Sequence, residues 1–119
     1  MAYLAVFFGG GLGAVLRFAV SRLFQYKDFP LATLISNVVS CIVFALVLYF
    51  LKGQQQHRLL YIFLITGLCG GFSTFSTFSF ETFHLLRQAQ IGLAILNVTS
   101  SLLCCLLVFY LAYIFLFRA

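Results

Sequence analysis

The sequence predicts an all-α membrane protein of four transmembrane helices, with the third helix broken near its middle. Three observations carry that expectation: a strongly apolar composition, four apolar runs of spanning length parted by short polar junctions, and a stretch rich in glycine and hydroxyl residues inside the third run. Of the 119 residues, 64% are hydrophobic and 8% are charged, and the mean hydropathy is +1.14, values far from those of a soluble globular domain. A bilayer core about 30 Å thick takes roughly 20 apolar residues per helix. A chain of this length therefore holds about four spans as a single transmembrane domain, residues 1–119, with no room for a soluble one.

The runs extend from about Tyr3 to Phe24, Pro30 to Leu51, Leu59 to Phe80 and Ile91 to Phe117. Between them lie Gln25-Tyr26-Lys27-Asp28, then Lys52-Gly53-Gln54-Gln55-Gln56-His57-Arg58, then Arg87-Gln88-Ala89-Gln90, each short enough to make neighbouring helices antiparallel. Both termini then lie on one side. Backbone groups find no water in lipid, so helices are the spanning element for runs of this length. The chain is apolar from Tyr3 onward without a basic stretch before it, which argues against a cleaved signal peptide and for a retained first span.

The net charge of +5 does not indicate nucleic acid, because Lys and Arg are scattered one or two per junction and form no patch. On the four-span arrangement Arg22, Lys27 and Arg87 flank one side and Lys52, Arg58 and Arg118 the other. Such balance favours no orientation. It has two readings: chance in a small protein, or insertion in both directions, which would pair two copies as an antiparallel dimer with its axis in the membrane plane. The cysteines Cys41, Cys69, Cys104 and Cys105 all fall in apolar runs, with no CxxC or His-rich neighbourhood to build a metal site. They are expected to be small packing residues.

In the first span, Gly9-Gly10-Gly11-Leu12-Gly13-Ala14 resembles a phosphate loop only superficially, since that motif needs a strand before it. Gly9 and Gly13 read better as a small-xxx-small helix contact. Arg17 follows one turn later on the same face, where it either snorkels to the interface or raises the positive potential of a vestibule. In the second span Thr33, Asn37, Ser40 and Cys41 form a polar stripe at three- and four-residue spacing. Asn37 is its costliest member in hydrocarbon, and is either glue to another helix or a ligand group. Asn97, Ser101 and Cys105 repeat the stripe in the fourth span, with Thr99 and Ser100 beside it. Two neutral, hydrogen-bonding stripes without a midspan carboxylate or lysine suit a small solute desolvated by hydrogen bonds.

The third span reads Gly67-Leu68-Cys69-Gly70-Gly71-Phe72-Ser73-Thr74-Phe75-Ser76-Thr77-Phe78-Ser79-Phe80-Glu81. Its glycines weaken a helix, and its hydroxyls can re-bond the freed backbone, so a break is expected where protein or a watery cavity surrounds it. Exposed carbonyls at a break can coordinate a cation. Phe75 and Phe78 share a helical face, and their positive ring edges either pack in a core or meet an anion.

Taken together, these strings resemble the small bacterial fluoride channels called Fluc or CrcB. The likeness covers nearly the whole chain: GGxxGAxxR from Gly9 to Arg17, Phe29-Pro30 followed by Thr33-Leu34 and Asn37, and above all GLCGGFSTFSTFSFE from Gly67 to Glu81. The resemblance implies a dual-topology antiparallel dimer in the cell inner or plasma membrane, with two fluoride pores and a sodium ion at the dimer centre. It implies that Phe75 and Phe78 line the fluoride pathway with Asn37, that Ser76, Thr77 and Ser101, with Cys105, supply its polar track, and that the Gly70 and Ser73 carbonyls hold sodium. Arg17 and Glu81 match vestibule and interface positions. Asn97 stands where the family commonly has tyrosine, and Ala32 and Ser40 replace usual glycines. Some members pair two non-identical subunits, so departures of this kind also fit one half of a heterodimer with a paralogue, whereas the balanced charge fits a homodimer.

What the resemblance implies is a channel and not an enzyme. Fluoride that entered as neutral hydrofluoric acid ionises at cytoplasmic pH and leaves as the anion down its gradient, which limits its toxicity. Two rivals of other classes are a small multidrug exporter, for which Glu81 is the only candidate acid and no Trp is present, and a non-transporting assembly subunit held by its polar stripes.

Overall fold

A computed structural model describes residues 1–25 and 27–118; Tyr26 of the first junction, and Ala119, lie outside the described residues. Helix α1 is Ala2–Leu23 and α2 is Leu31–Phe50. The third span, Gln55–Arg87, is a composite. A 3-10 turn (Gln55–His57) leads into α3 (Arg58–Tyr61), a π-helical stretch (Ile62–Cys69), α4 (Gly70–Phe72) and, after a break, α5 (Phe75–Arg87). The fourth span comprises α6 (Ile91–Ala112) and a closing π turn (Tyr113–Phe117). All four spans are long and apolar enough to cross a membrane. The third helix runs on to Arg87, beyond the expected end at Phe80, because α5 carries Phe83, Leu85 and Leu86 past Glu81.

Side-chain pairs fix the directions of the spans. Thr33 bonds Glu81, Asn37 bonds Thr74 and Ser40 bonds Cys69, so α2 runs against the third span. Phe44 meets Phe109 edge-on at 5.7 Å, and Tyr49 meets Phe117 at 6.0 Å, so α2 and the fourth span run together. These are the directions that short antiparallel connections dictate.

Burial is reversed from that of a water-soluble protein. Large apolar side chains such as Phe7, Phe18, Leu103 and Leu106 stand exposed around the outside. Thr33, Ser36, Ser40, Asn97 and Ser101 are buried between the helices. In lipid there is no hydrophobic gain from hiding leucine, and helices associate through close packing and polar contacts.

Close packing concentrates where α1 lies along the π-helical stretch and α4. A Cβ built on Gly9 would meet the Gly67 Cα at 3.0 Å, and one on Gly13 would meet the Phe72 nitrogen at 2.7 Å. These contacts are with backbone, which cannot swing aside, so the small-xxx-small reading of Gly9 and Gly13 holds. Gly11 has nothing within 4 Å of a built Cβ. Gly13→Val is therefore expected to destabilise the protein by about 1–3 kcal/mol or more, the usual range for overpacking, while Gly11→Ala has little effect. Thermal aggregation of detergent-purified protein, followed by size-exclusion chromatography, measures both.

Candidate ion pathway

The break in the third span falls at Ser73 and Thr74, where the backbone turns extended (φ −78°, ψ 156° and φ −152°, ψ 122°). It does not fall at the glycines, since α4 passes helically through Gly70 and Gly71. Gly71 instead serves packing: a Cβ there would meet the Gly10 Cα at 3.0 Å.

What holds the break open is the polar stripe of α2. The Thr74 N–H donates to Asn37 Oδ1 at 2.8 Å, and Asn37 Nδ2 donates back to the Thr74 carbonyl at 3.4 Å. One carboxamide thereby takes the place of two backbone partners. One turn away, Ser40 Oγ donates to the Cys69 carbonyl at 3.0 Å, joined there by Ser73 Oγ at 2.8 Å. Beyond the break, Thr74 caps α5 by accepting the Thr77 N–H on its own hydroxyl at 3.2 Å, the usual work of threonine at that position.

These bonds redirect two amides. In an unbroken helix the Thr74 N–H would bond the Gly70 carbonyl and the Thr77 N–H the Ser73 carbonyl. Asn37 takes the first and the Thr74 hydroxyl the second. The carbonyls of Gly70 and Ser73 thus lose their helical donors at a place where α4 ends and α5 begins.

Two cavities flank the break, and Thr74 lines both. One, of about 270 Å³, is lined by Asn37, Phe75, Phe78 and Ser101, with Cys41 and Cys105 also on its wall. The Phe75 and Phe78 rings sit 6.0 Å apart. Phe75 is 80% exposed on the single chain, and the Ser101 hydroxyl is buried without a partner. The other cavity, of about 260 Å³, is lined among others by Arg17, Thr33, Ser36, Thr77 and Glu81. Thr33 donates to Glu81 Oε1 at 2.8 Å. Arg17 Nε, Ser36 Oγ and Glu81 Oε2 are buried without partners within the chain.

The structure accordingly sorts the residues singled out in the sequence. Asn37, Phe75, Phe78 and Ser101 come together; Arg17, Thr77 and Glu81 come together on the far side of Thr74. Ser76 is exposed and lies 3.3 Å from the Thr74 hydroxyl. Asn97 is fully buried and donates to Thr82 Oγ1 at 2.9 Å, and Thr82 in turn donates to the Phe78 carbonyl at 2.8 Å. At this position, where tyrosine is common in the resembled family, the amide thus ties α6 to the turn that carries Phe78. Sequence reading missed Ser36, Thr74 and Thr82. Ser36 was signalled by its place three residues after Thr33 on the same stripe, and Thr74 by its fitness as a cap, once the break is placed before Phe75.

An interrupted spanning helix flanked by two cavities that reach polar side chains defines a multi-pass membrane protein built to pass a small solute or ion. The chain belongs to the CrcB-like protein, Camphor Resistance (CrcB) family, whose pattern matches residues 4–113. It is similar to the Fluoride-specific ion channel FluC of Pyrococcus abyssi, 41% identical over 116 residues that cover 93% of this chain and 92% of that one. The Fluoride-specific ion channel FluC of Pyrococcus horikoshii is 44% identical over 108 residues, 89% of this chain and 88% of that one. Fluoride-specific ion channel FluC 2 of Bacillus subtilis is 44% identical over 101 residues, 85% and 76% of the respective chains.

Asn37→Ala should leave the Thr74 N–H and carbonyl buried and unpaired, at about 1–3 kcal/mol per group. The expected result is a lower unfolding midpoint in detergent than for Ser76→Ala, which removes only an exposed hydroxyl contact.

Proposed function

We propose that this chain is the subunit of a fluoride channel, which lets the anion leave the cytoplasm passively and so limits its toxicity. The observation that carries the reading is the single cavity in which α2, α5 and α6 bring Asn37, Phe75, Phe78 and Ser101 together. Support comes also from the relatives, whose names state fluoride specificity.

Fluoride is small and tightly hydrated, so a pathway must replace its water with donors while staying too narrow for larger anions. Ser101 has a buried hydroxyl with no acceptor of its own. Asn37 Nδ2 uses one N–H in a long 3.4 Å bond and keeps a second donor for an anion. The ring edges of Phe75 and Phe78 add partial positive charge without hydrogen-bond donors that would hold the ion too long. The N-terminus of α5 supplies the positive end of a helix dipole beside them. In the second cavity Arg17 attracts anions toward the break, with the Thr33 and Thr77 hydroxyls on its walls, and Ser76 extends the polar track at the surface.

The pathway belongs to an antiparallel homodimer in this account. The high exposure of Phe75 on one chain supports it, because a partner would complete the open side of its cavity. The freed carbonyls of Gly70 and Ser73 fit a hard monovalent cation such as sodium, held by backbone oxygen at the dimer centre. Among the described residues no group of three or more His, Cys, Asp or Glu offers a different kind of metal site. Bound there, sodium would supply positive charge at the helix break and hold the two subunits in register.

Purified protein in liposomes is expected to discharge a fluoride gradient once valinomycin releases the potassium counter-charge. Phe75→Ile and Phe78→Ile should slow that efflux at least about tenfold, equal to about 1.4 kcal/mol at the barrier, with dimer assembly intact by chemical crosslinking. Wild-type efflux in both variants would refute the role of the rings. Exhaustive replacement of sodium by choline should abolish efflux and return it when sodium is restored; undiminished efflux in choline would refute the sodium site.

A further inference from the structure

Four cysteines in a lipid-embedded chain look like packing residues, yet two of them come together. Cys41 of α2 and Cys105 of α6 line the same cavity, on the two helices that pack together there. The register explains the pairing. Asn37 and Ser101 lie one turn below, Phe44 and Phe109 one turn above, and the latter rings touch at 5.7 Å. Both thiols are free, only half-buried, and set in the wall of the larger cavity.

We propose that Cys41 and Cys105 form a two-thiol site for a soft, thiophilic metal ion, and that an ion bound there obstructs the cavity that Asn37, Phe75, Phe78 and Ser101 line. The absence among the described residues of any cluster of three or more His, Cys, Asp or Glu argues against tetrahedral zinc. Two free thiols on one cavity wall, without a third ligand, suit the ions that accept two thiolates, as copper(I), silver(I) and mercury(II) do. With Hg2+ the step balances without redox change: two S–H bonds give way to two Hg–S bonds, and two protons pass to water. The product is neutral, which suits a wall with few polar atoms. The site stands on the geometry of the thiols; only the obstruction rests on the channel reading above.

The test uses Hg2+ on purified dimer carrying Cys69→Ser and Cys104→Ser, which leaves the pair alone. One Hg2+ per chain should be retained against excess glutathione, with the near-ultraviolet absorbance of a mercury dithiolate. Adding Cys41→Ser or Cys105→Ser should weaken retention by more than about tenfold, since losing even an outer hydrogen-bond partner of a metal ligand costs about that much. Two Hg2+ per chain, or equal retention after either change, would overturn the site. Should the serine background fail to fold, the intact chain gives the same reading: Cys41→Ser, Cys105→Ser and the double variant should each lose the same single retained equivalent, and separate losses would overturn the proposal. In liposomes, micromolar Hg2+ should halt fluoride efflux by the intact chain and not by Cys41→Ser/Cys105→Ser. Paired binding in a chain that conducts no fluoride would refute the channel reading and leave the site; conduction without paired binding would refute the site.

Discussion

The carboxamide of Asn37 on the backbone of Thr74 is the contact on which the rest depends. An unpaired amide or carbonyl in hydrocarbon costs several kcal/mol, so a spanning helix can be interrupted only where something else supplies its bonds. Asn37 supplies both an acceptor and a donor from the neighbouring helix. One turn away the Cys69 carbonyl keeps its helical donor, the Ser73 N–H, and takes the Ser40 and Ser73 hydroxyls in addition. Because the break is paid for in this way, Phe75 and Phe78 start a new helix whose N-terminus opens on a cavity, and the carbonyls of Gly70 and Ser73 are left without helical donors.

The glycines perform a separate task. They were expected to weaken the third helix, and the chain instead runs helically through Gly70 and Gly71 and breaks two residues later. Gly9, Gly13, Gly67 and Gly71 allow the backbones of α1 and the third span to touch. That contact anchors the first half of the third span, while α2 and α6 hold the second half through Thr33, Asn97 and Thr82. Backbone packing against α1 is thus confined to the first half, where only Ser40 adds a side-chain bond from another helix, to the Cys69 carbonyl, while the second half is held by side-chain hydrogen bonds.

Four spans, their order, the α1 glycine contact and the polar stripe of α2 could all be read from period and composition. So could the interrupted third helix, from hydroxyl residues able to re-bond freed backbone in the middle of an apolar run, although its glycines serve packing. The position of the break could not, since it depends on Asn37 and Thr74 meeting, 37 residues apart in sequence. For the same reason the sequence did not show that Arg17, Thr77 and Glu81 border one cavity and Phe75 and Phe78 another, nor that Cys41 and Cys105 line the latter. Asn97 stood out as a departure from a family pattern; its bond to Thr82, and through it to Phe78, appears only in three dimensions.

Hydrogen exchange at the Thr74 amide, in purified protein under native conditions, tests the central contact most directly. Thr74 lies outside any helix, so an unbonded amide in a polar cavity would exchange rapidly. The Asn37 clamp predicts protection close to that of the helical amides of α5, lost in Asn37→Ala. Rapid exchange at Thr74 in the unmodified chain would show that water, and not Asn37, satisfies the break.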